Sequence, residues 1–380
     1  MTSPAPNTLA IVGAGPIGLE AAARALELGL DVHVFERGEP GDHVAAWGHV
    51  RMFTPWSANV GPAAERLLAR GGWTRPDPGA CPTGAEFLDA YLRPLAAAPG
   101  LRERVHAHAQ VVHVGRRGVL PQAVEGREAA PFRLVVRDAG GRESVLHAAR
   151  LVDASGTYGC PNWAGTGGVP ARGETYLAPQ MGHHCDDVAG LRRDRHAGRR
   201  TLVIGGGASA ATTVTALAAL AAEVPGTTVA WVRRSASGPL AGEVANDPLA
   251  GRAALFAAAH ALEAGSDPAV TCLAGAEVEG FEYNSATHRY RVTFTLPAGT
   301  RVEEADEVVI NTGYAPDESM LRALQVRLDP ATHAVTGTGG GAARWAHPEP
   351  GLWILGAKSW GRDGSFWLAD GHAQVGDVLR

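Results

Sequence analysis

Cysteine is scarce. The 380 residues hold four, Cys81, Cys160, Cys185 and Cys272, and no two are spaced as C-x-x-C. That excludes a zinc ribbon and a dithiol redox centre, and it fits a reducing cytoplasm. Long apolar runs are missing too. None reaches the roughly 20 residues of a membrane span. The longest, Ala210 to Ala222, is interrupted by threonines and reads as a helix. Met1 to Asn7 has no basic n-region and reads as a short tail, not a signal peptide. Nor is there an excess of positive charge. A net charge of −5 gives no general reason to expect nucleic acid as a partner. Arginine far outnumbers lysine, which we read, with the abundant alanine and glycine, as coding bias.

What remains is a globular composition, 45% hydrophobic and 19% charged, long enough for two domains. Its most informative feature is a pair of glycine-rich turns about 190 residues apart. The first, Gly13-Ala14-Gly15-Pro16-Ile17-Gly18, follows the apolar run Thr8 to Val12. A helix from Pro16 to Leu28, stopped at Gly29, and a strand from Asp31 to Phe35 come next. Gly13 permits the tight turn, and Gly15 lets backbone approach a pyrophosphate. Gly18 lets helix and strand pack closely, with the helix N-terminus facing negative charge. Glu36, 18 residues after Gly18, sits where a carboxylate accepts hydrogen bonds from ribose hydroxyls, and Arg37 follows it.

The second turn is Gly205-Gly206-Gly207-Ala208-Ser209-Ala210, after Leu202-Val203-Ile204. Ala210 replaces the third glycine, which the fingerprint allows. A helix from Ser209 to Ala222 and a strand from Thr227 to Val232 lead to Arg233 and Arg234. Aligning the strand ends puts Arg233 in the place of Glu36, where a guanidinium suits a 2′-phosphate. The expectation is FAD in the first site and NADPH in the second.

With both turns in place, the chain resembles flavoproteins with two dinucleotide-binding domains, a superfamily that includes flavin-containing monooxygenases and thioredoxin-reductase-like enzymes. Leu151 to Thr157, with Ser155 and Gly156, looks like the segment closing the family's FAD domain. Val308 to Asp317, with Thr312 and Gly313, looks like its counterpart after the NADPH domain, and Leu352 to Gly356 like the final strand beside the flavin. The usual acid after that glycine is replaced by Ala357. The resemblance implies an α/β fold of two Rossmann-like domains, the second inserted into the first. The FAD domain would span 1–165 and 308–380. The NAD(P)H domain would span 166–307, with a helical insert at about 235–270. Trp47 to Trp56 contains a Thr54-Pro55 pair similar to a flavin-monooxygenase segment, which would bring Trp47, Arg51 and Thr54 near the flavin. This stretch is also similar to actinobacterial-type flavin monooxygenase-like proteins linked to arsenic resistance.

Two dinucleotides imply hydride transfer from nicotinamide to flavin. A disulfide reductase needs a cysteine pair beside the flavin, and none is present. Two outlets remain. One is molecular oxygen, giving a flavin hydroperoxide that oxygenates a small soft nucleophile or a ketone. The other is a reductase that passes electrons to a different acceptor. No acid–base pair stands out as catalytic. Arg252 to Glu263 reads as an amphipathic helix, either a lid over a substrate pocket or cover for a sheet edge. Lys358 to Trp367 is a pocket wall or a source of core and dimer contacts, so a homodimer is compatible with the sequence. Phe366 to Leu379 reads as a helix. His183-His184-Cys185-Asp186-Asp187 resembles a metal cluster only in composition, because adjacent histidines rarely converge on one ion and a second ligand pair is missing. Cys160, after Tyr158-Gly159, reads as a lone buried thiol, or as a reactive one if it lies near the flavin.

Overall fold

The computed structural model describes residues 7–337 and 340–380. Its strands run β1 Thr8–Val12, β2 Asp31–Phe35, β3 Val105–His106, β4 Ala109–Arg116, β5 Phe132–Asp138, β6 Glu143–Ala148 and β7 Arg150–Asp153. They continue with β8 Arg200–Ile204, β9 Thr228–Arg233, β10 Val270–Ala274, β11 Glu277–Asn284, β12 Arg289–Leu296, β13 Gly299–Ala305, β14 Glu307–Ile310 and β15 Leu352–Ile354. Four helices bear on the argument: α1 Pro16–Glu27, α2 Ala208–Glu223, α3 Ala250–Glu263 and α4 Leu368–Val378. The chain forms two compact units, Met1–Cys160 with Ala315–Arg380, and Pro161–Tyr314.

The first unit carries a sheet in the order β15-β7-β1-β2-β3 and an antiparallel sheet β4-β5-β6. The strands of the larger sheet are parallel, with Val12 level with Phe35 on one side and with Asp153 on the other. That register gathers the loops leaving three strands at one sheet end, where open α/β sheets bind ligands. Leu9, Ala10 and Ile11 are fully buried, as strands covered on both faces require. α1 starts with proline in its first turn and closes with a Schellman motif. Gly29 N donates to Leu26 O (3.1 Å) and Leu30 N to Ala25 O (3.0 Å).

The second unit repeats the plan. Its parallel sheet runs β10-β9-β8-β14, and its antiparallel sheet runs β11-β12-β13. β8 takes the place of β1, β9 that of β2, and β14 that of β7. Because β14 pairs with β8, residues 308–310 belong to the second unit. The units therefore divide after Cys160 and after Tyr314, not at 165 and 308. The proposed lid is corrected as well. α3 links parallel β9 to β10 and buries Phe256 and Ala259 in the core shared with α2, so it is the crossover helix of a βαβ unit. No helix among the described residues is long and apolar enough to cross a membrane.

A buried charge cluster holds the first unit together away from its glycine turn. Glu349, just before β15, receives Arg116 Nε at 2.7 Å from β4 and Arg127 Nε at 3.1 Å from the following loop. The three side chains are 0, 1 and 3% exposed. Burial pushes the Glu349 carboxyl up, but Arg127, the Gln325 amide and Arg116 outweigh it and hold it low. Removing one partner from such a cluster leaves an uncompensated buried charge, a cost of about 3–5 kcal/mol. We expect Glu349→Ala to lower unfolding stability by that order in a urea titration. Exposed Glu279→Ala, the control, should shift it by under about 0.5 kcal/mol.

Candidate dinucleotide site

The first unit holds a cavity of about 320 Å³ at the end of its parallel sheet. The glycine turn forms its floor. Gly13 has φ +98, and a Cβ there would lie 2.7 Å from Ala154 O. A Cβ on Gly18 would lie 1.9 Å from Gly13 O, so only glycine lets α1 come this close to β1. Gly15 differs: a Cβ there would meet nothing within 4 Å. It is the N-cap of α1, and no side chain caps that helix. The result is open space at a helix N-terminus, a cradle for an anion.

Glu36, at the end of β2, accepts Ala14 N at 2.8 Å and Gly38 N at 3.0 Å. It is tied to the turn while still lining the cavity, as do Gly13, Gly15, Pro16, Ile17, Arg37, Trp47, Ser155, Gly156 and Gly356. Gly356 packs against Ile17, with a Cβ there 3.4 Å away and φ +73. Gly18 stands behind the cavity as packing. These residues fit a dinucleotide such as FAD: backbone at a helix start for the pyrophosphate and a carboxylate for the ribose.

Two expected residues are not brought to this cavity. Arg51 is exposed and donates to Cys81 O, close to Glu86, while Thr54 Oγ1 donates to Asn59 Oδ1 at 2.7 Å. The loop between them is pinned to residues 78–84 by Met52 N–Pro82 O and Trp56 N–Ala80 O bonds, so of this stretch only Trp47 reaches the lining. Thr312 and Gly313 also lie elsewhere, in the second unit. There Thr312 Oγ1 donates to Asn162 O (2.7 Å) and Asn162 N to Gly313 O (2.9 Å).

The second glycine turn repeats the first in detail. Gly205 N donates to Val232 O at 3.0 Å, as Gly13 N does to Phe35 O at 2.8 Å. A Cβ on Gly205 would lie 2.2 Å from Asn311 O. Gly207 is the uncapped N-cap of α2, which starts at Ala208 and Ser209 and buries Ala210. One difference is that Ala241 N donates to Gly206 O at 2.8 Å, laying a loop against the turn. Arg233 also departs from expectation. It is 1% exposed and paired with Glu263 of α3, whereas Arg234 is exposed. Arg233 packs inward because strand alternation turns its side chain toward α3, leaving Arg234 on the outer side.

Other predicted features resolve locally. His196 Nε2 meets Asp186 at 3.1 Å, His184 stacks on Tyr314, and Cys185 Sγ donates to Ser209 O at 3.3 Å. Among the described residues no group of three or more His, Cys, Asp or Glu is placed to hold a metal ion. Cys160 lines the cavity instead of lying in the core. Burial pushes its thiol up, Asp317 adds to this and Lys358 opposes it. Phe366 joins the wall, and Trp360 packs edge-on against it.

Sequence reasoning missed several lining residues, His43 and Tyr158 among them. His43 lies against Tyr158 and bonds Arg37 Nη2 at 2.7 Å; burial, then Arg37, holds its pKa below the ordinary value. Neither His43 nor Tyr158 carries a sequence signal. Lys358, the single lysine of the chain, opens the Lys358 to Trp367 segment read as a pocket wall, and it lines the cavity with Phe366.

Comparison with known proteins agrees with this fold. A family profile described as pyridine nucleotide-disulphide oxidoreductase matches residues 8–40, the first strand–turn–helix–strand. No curated protein matches the chain. Solved structures align over nearly all of it. Bacillithiol disulfide reductase from Bacillus cereus is 20% identical, with TM-score 0.73 over 98% of this chain and 97% of that one. An FAD-bound cadaverine monooxygenase from Erwinia amylovora is 15% identical, with TM-score 0.67 over 98% and 93%. Ornithine N-hydroxylase from Kutzneria is 18% identical, with TM-score 0.64 over 98% and 97%. The chain has the fold of two Rossmann-like domains seen in these flavoproteins.

The glycines separate packing from binding. Gly18→Ala should cost about 2 kcal/mol or more in urea unfolding of the cofactor-free protein, from overpacking against Gly13 O. Gly15→Ala should stay within about 1 kcal/mol of wild type yet lose retained dinucleotide on gel filtration, because its methyl fills the cradle.

Proposed function

We propose that the chain is an FAD-dependent oxidoreductase that uses NADPH, with FAD on the first glycine turn and NADPH on the second. The observation that carries this is Gly15: open space at an uncapped helix start, facing the Glu36 carboxylate across one cavity. The matching second turn supports the nicotinamide partner, with exposed Arg234 as the guanidinium for its 2′-phosphate. FAD held on the first turn would supply two-electron redox chemistry between nicotinamide and an acceptor.

The residues of this chain set the conditions for that chemistry. The first turn of α1 fixes the pyrophosphate, and Glu36 orients the ribose. Trp47 and Phe366 supply apolar wall that excludes water. For the electron outlet we favour oxygen, and therefore a monooxygenase acting on a small nitrogen, sulfur or arsenic centre or a ketone. Support comes from Cys160, a single cavity thiol that burial keeps protonated, with no second cysteine in the lining to form a relay. The second reading is a reductase with a non-oxygen acceptor, favoured by the likeness in fold to disulfide reductases.

Rapid mixing decides between them. FAD-loaded protein, reduced anaerobically by NADPH, is mixed with oxygen while the flavin spectrum is followed. The proposal expects a transient spectral species before the oxidised spectrum returns, and ¹⁸O from O₂ in the product once a substrate is found. Direct return with stoichiometric peroxide across a panel of amine, thiol, arsenite and ketone substrates favours the reductase. Failure of NADPH to bleach the flavin contradicts both.

A further inference from the structure

The chain holds 34 Lys and Arg residues, and 33 of them are arginine. The one lysine is Lys358. Its side chain is 2% exposed, although lysine is almost never fully buried unless paired. It follows Gly356 in the turn after β15 and lines the dinucleotide cavity. Nζ lies 2.6 Å from Asp153 Oδ2 and 3.2 Å from Ser155 Oγ. Asp153, at the end of β7, is 0% exposed, and its Oδ1 accepts Ser155 N (3.1 Å) and Ser155 Oγ (2.7 Å).

Every other buried cation in this unit is a guanidinium whose planar fork answers several acceptors, as Arg116 and Arg127 do around Glu349. Lys358 is a compact point charge with three donors, and arginine does not substitute for it at such a site. One donor is met by Ser155 Oγ, while Asp153 Oδ2 stands beside the ammonium as an ion-pair partner. Among the described residues no third acceptor is in reach, and the residue borders the cavity.

We propose that Lys358 is the charge-setting residue of the flavin site: its remaining donor faces the bound FAD, and its ammonium favours the electron-rich, reduced form. Asp153 and Ser155 are positioning residues that hold the ammonium at the wall. A cation on the wall of a cavity favours negative charge on a group bound there, and the low local dielectric strengthens the effect. The inference rests on the FAD reading above.

The test is the two-electron midpoint potential of FAD-loaded protein, read by dye equilibration, with the FAD dissociation constant measured alongside. Lys358→Met should lower the reduced-to-oxidised ratio at a given potential by about tenfold or more, a fall of about 30 mV. That variant leaves Asp153 buried without its cation, so Lys358→Met/Asp153→Asn removes both charges and keeps the test open if the single variant unfolds. The double variant should regain stability and keep the low potential. Return of its potential to the wild-type value overturns the proposal, because the pair then acts only as a structural neutral unit. Weaker FAD binding with an unchanged potential also overturns it, in favour of simple cofactor retention. If the wild-type protein takes up no FAD, the reading of the first turn fails and this inference falls with it.

Discussion

The approach of α1 to β1 through the first glycine turn is the constraint on which the site depends. A methyl on Gly18 would sit 1.9 Å from the Gly13 carbonyl, and one on Gly13 would sit 2.7 Å from Ala154 O. Those two contacts bring the helix start, the end of β1 and the loop after β7 to one place. The same constraint recurs at Gly205 against Asn311 O, so the second unit inherits a second helix start in the same relation to its own sheet.

Around these turns, buried ion pairs recur. Glu349 answers two arginines, Asp153 answers Lys358, and Glu263 answers Arg233. Burying an ion unpaired is costly, so each pair also fixes the segments that carry it. The Glu349 cluster ties the loop before β15 to β4. The Asp153–Lys358 pair ties the turn after β15 to the end of β7, and thereby shapes one side of the cavity.

Much of this was legible in the sequence because it is local. β1 and β2 end where the apolar runs end, and α1 spans Pro16–Glu27 as its proline start and glycine stop imply. Gly13, Gly15 and Glu36 line the cavity, Gly18 packs behind it, and Trp47 joins the lining. What stayed hidden depends on tertiary packing. Arg51 and Thr54 follow a loop pinned to residues 78–84, a pairing that no periodicity announces. Arg233 sits at the expected strand end but faces inward to Glu263, since strand alternation alone does not reveal which side α3 covers. The helix at 250–263 read as an addition because the crossover it makes between β9 and β10 exists only once the sheet is assembled. Lys358 was visible in composition, yet its scarcity read as bias until its burial beside Asp153 gave it a location.

The claim that the two turns are two separate dinucleotide sites is tested most directly by sequential calorimetric titration of the cofactor-free chain. The account predicts one FAD bound per chain, followed by one NADP⁺ that binds without displacing it. Competition between FAD and NADP⁺ for a single site, or no uptake of FAD at all, would contradict it.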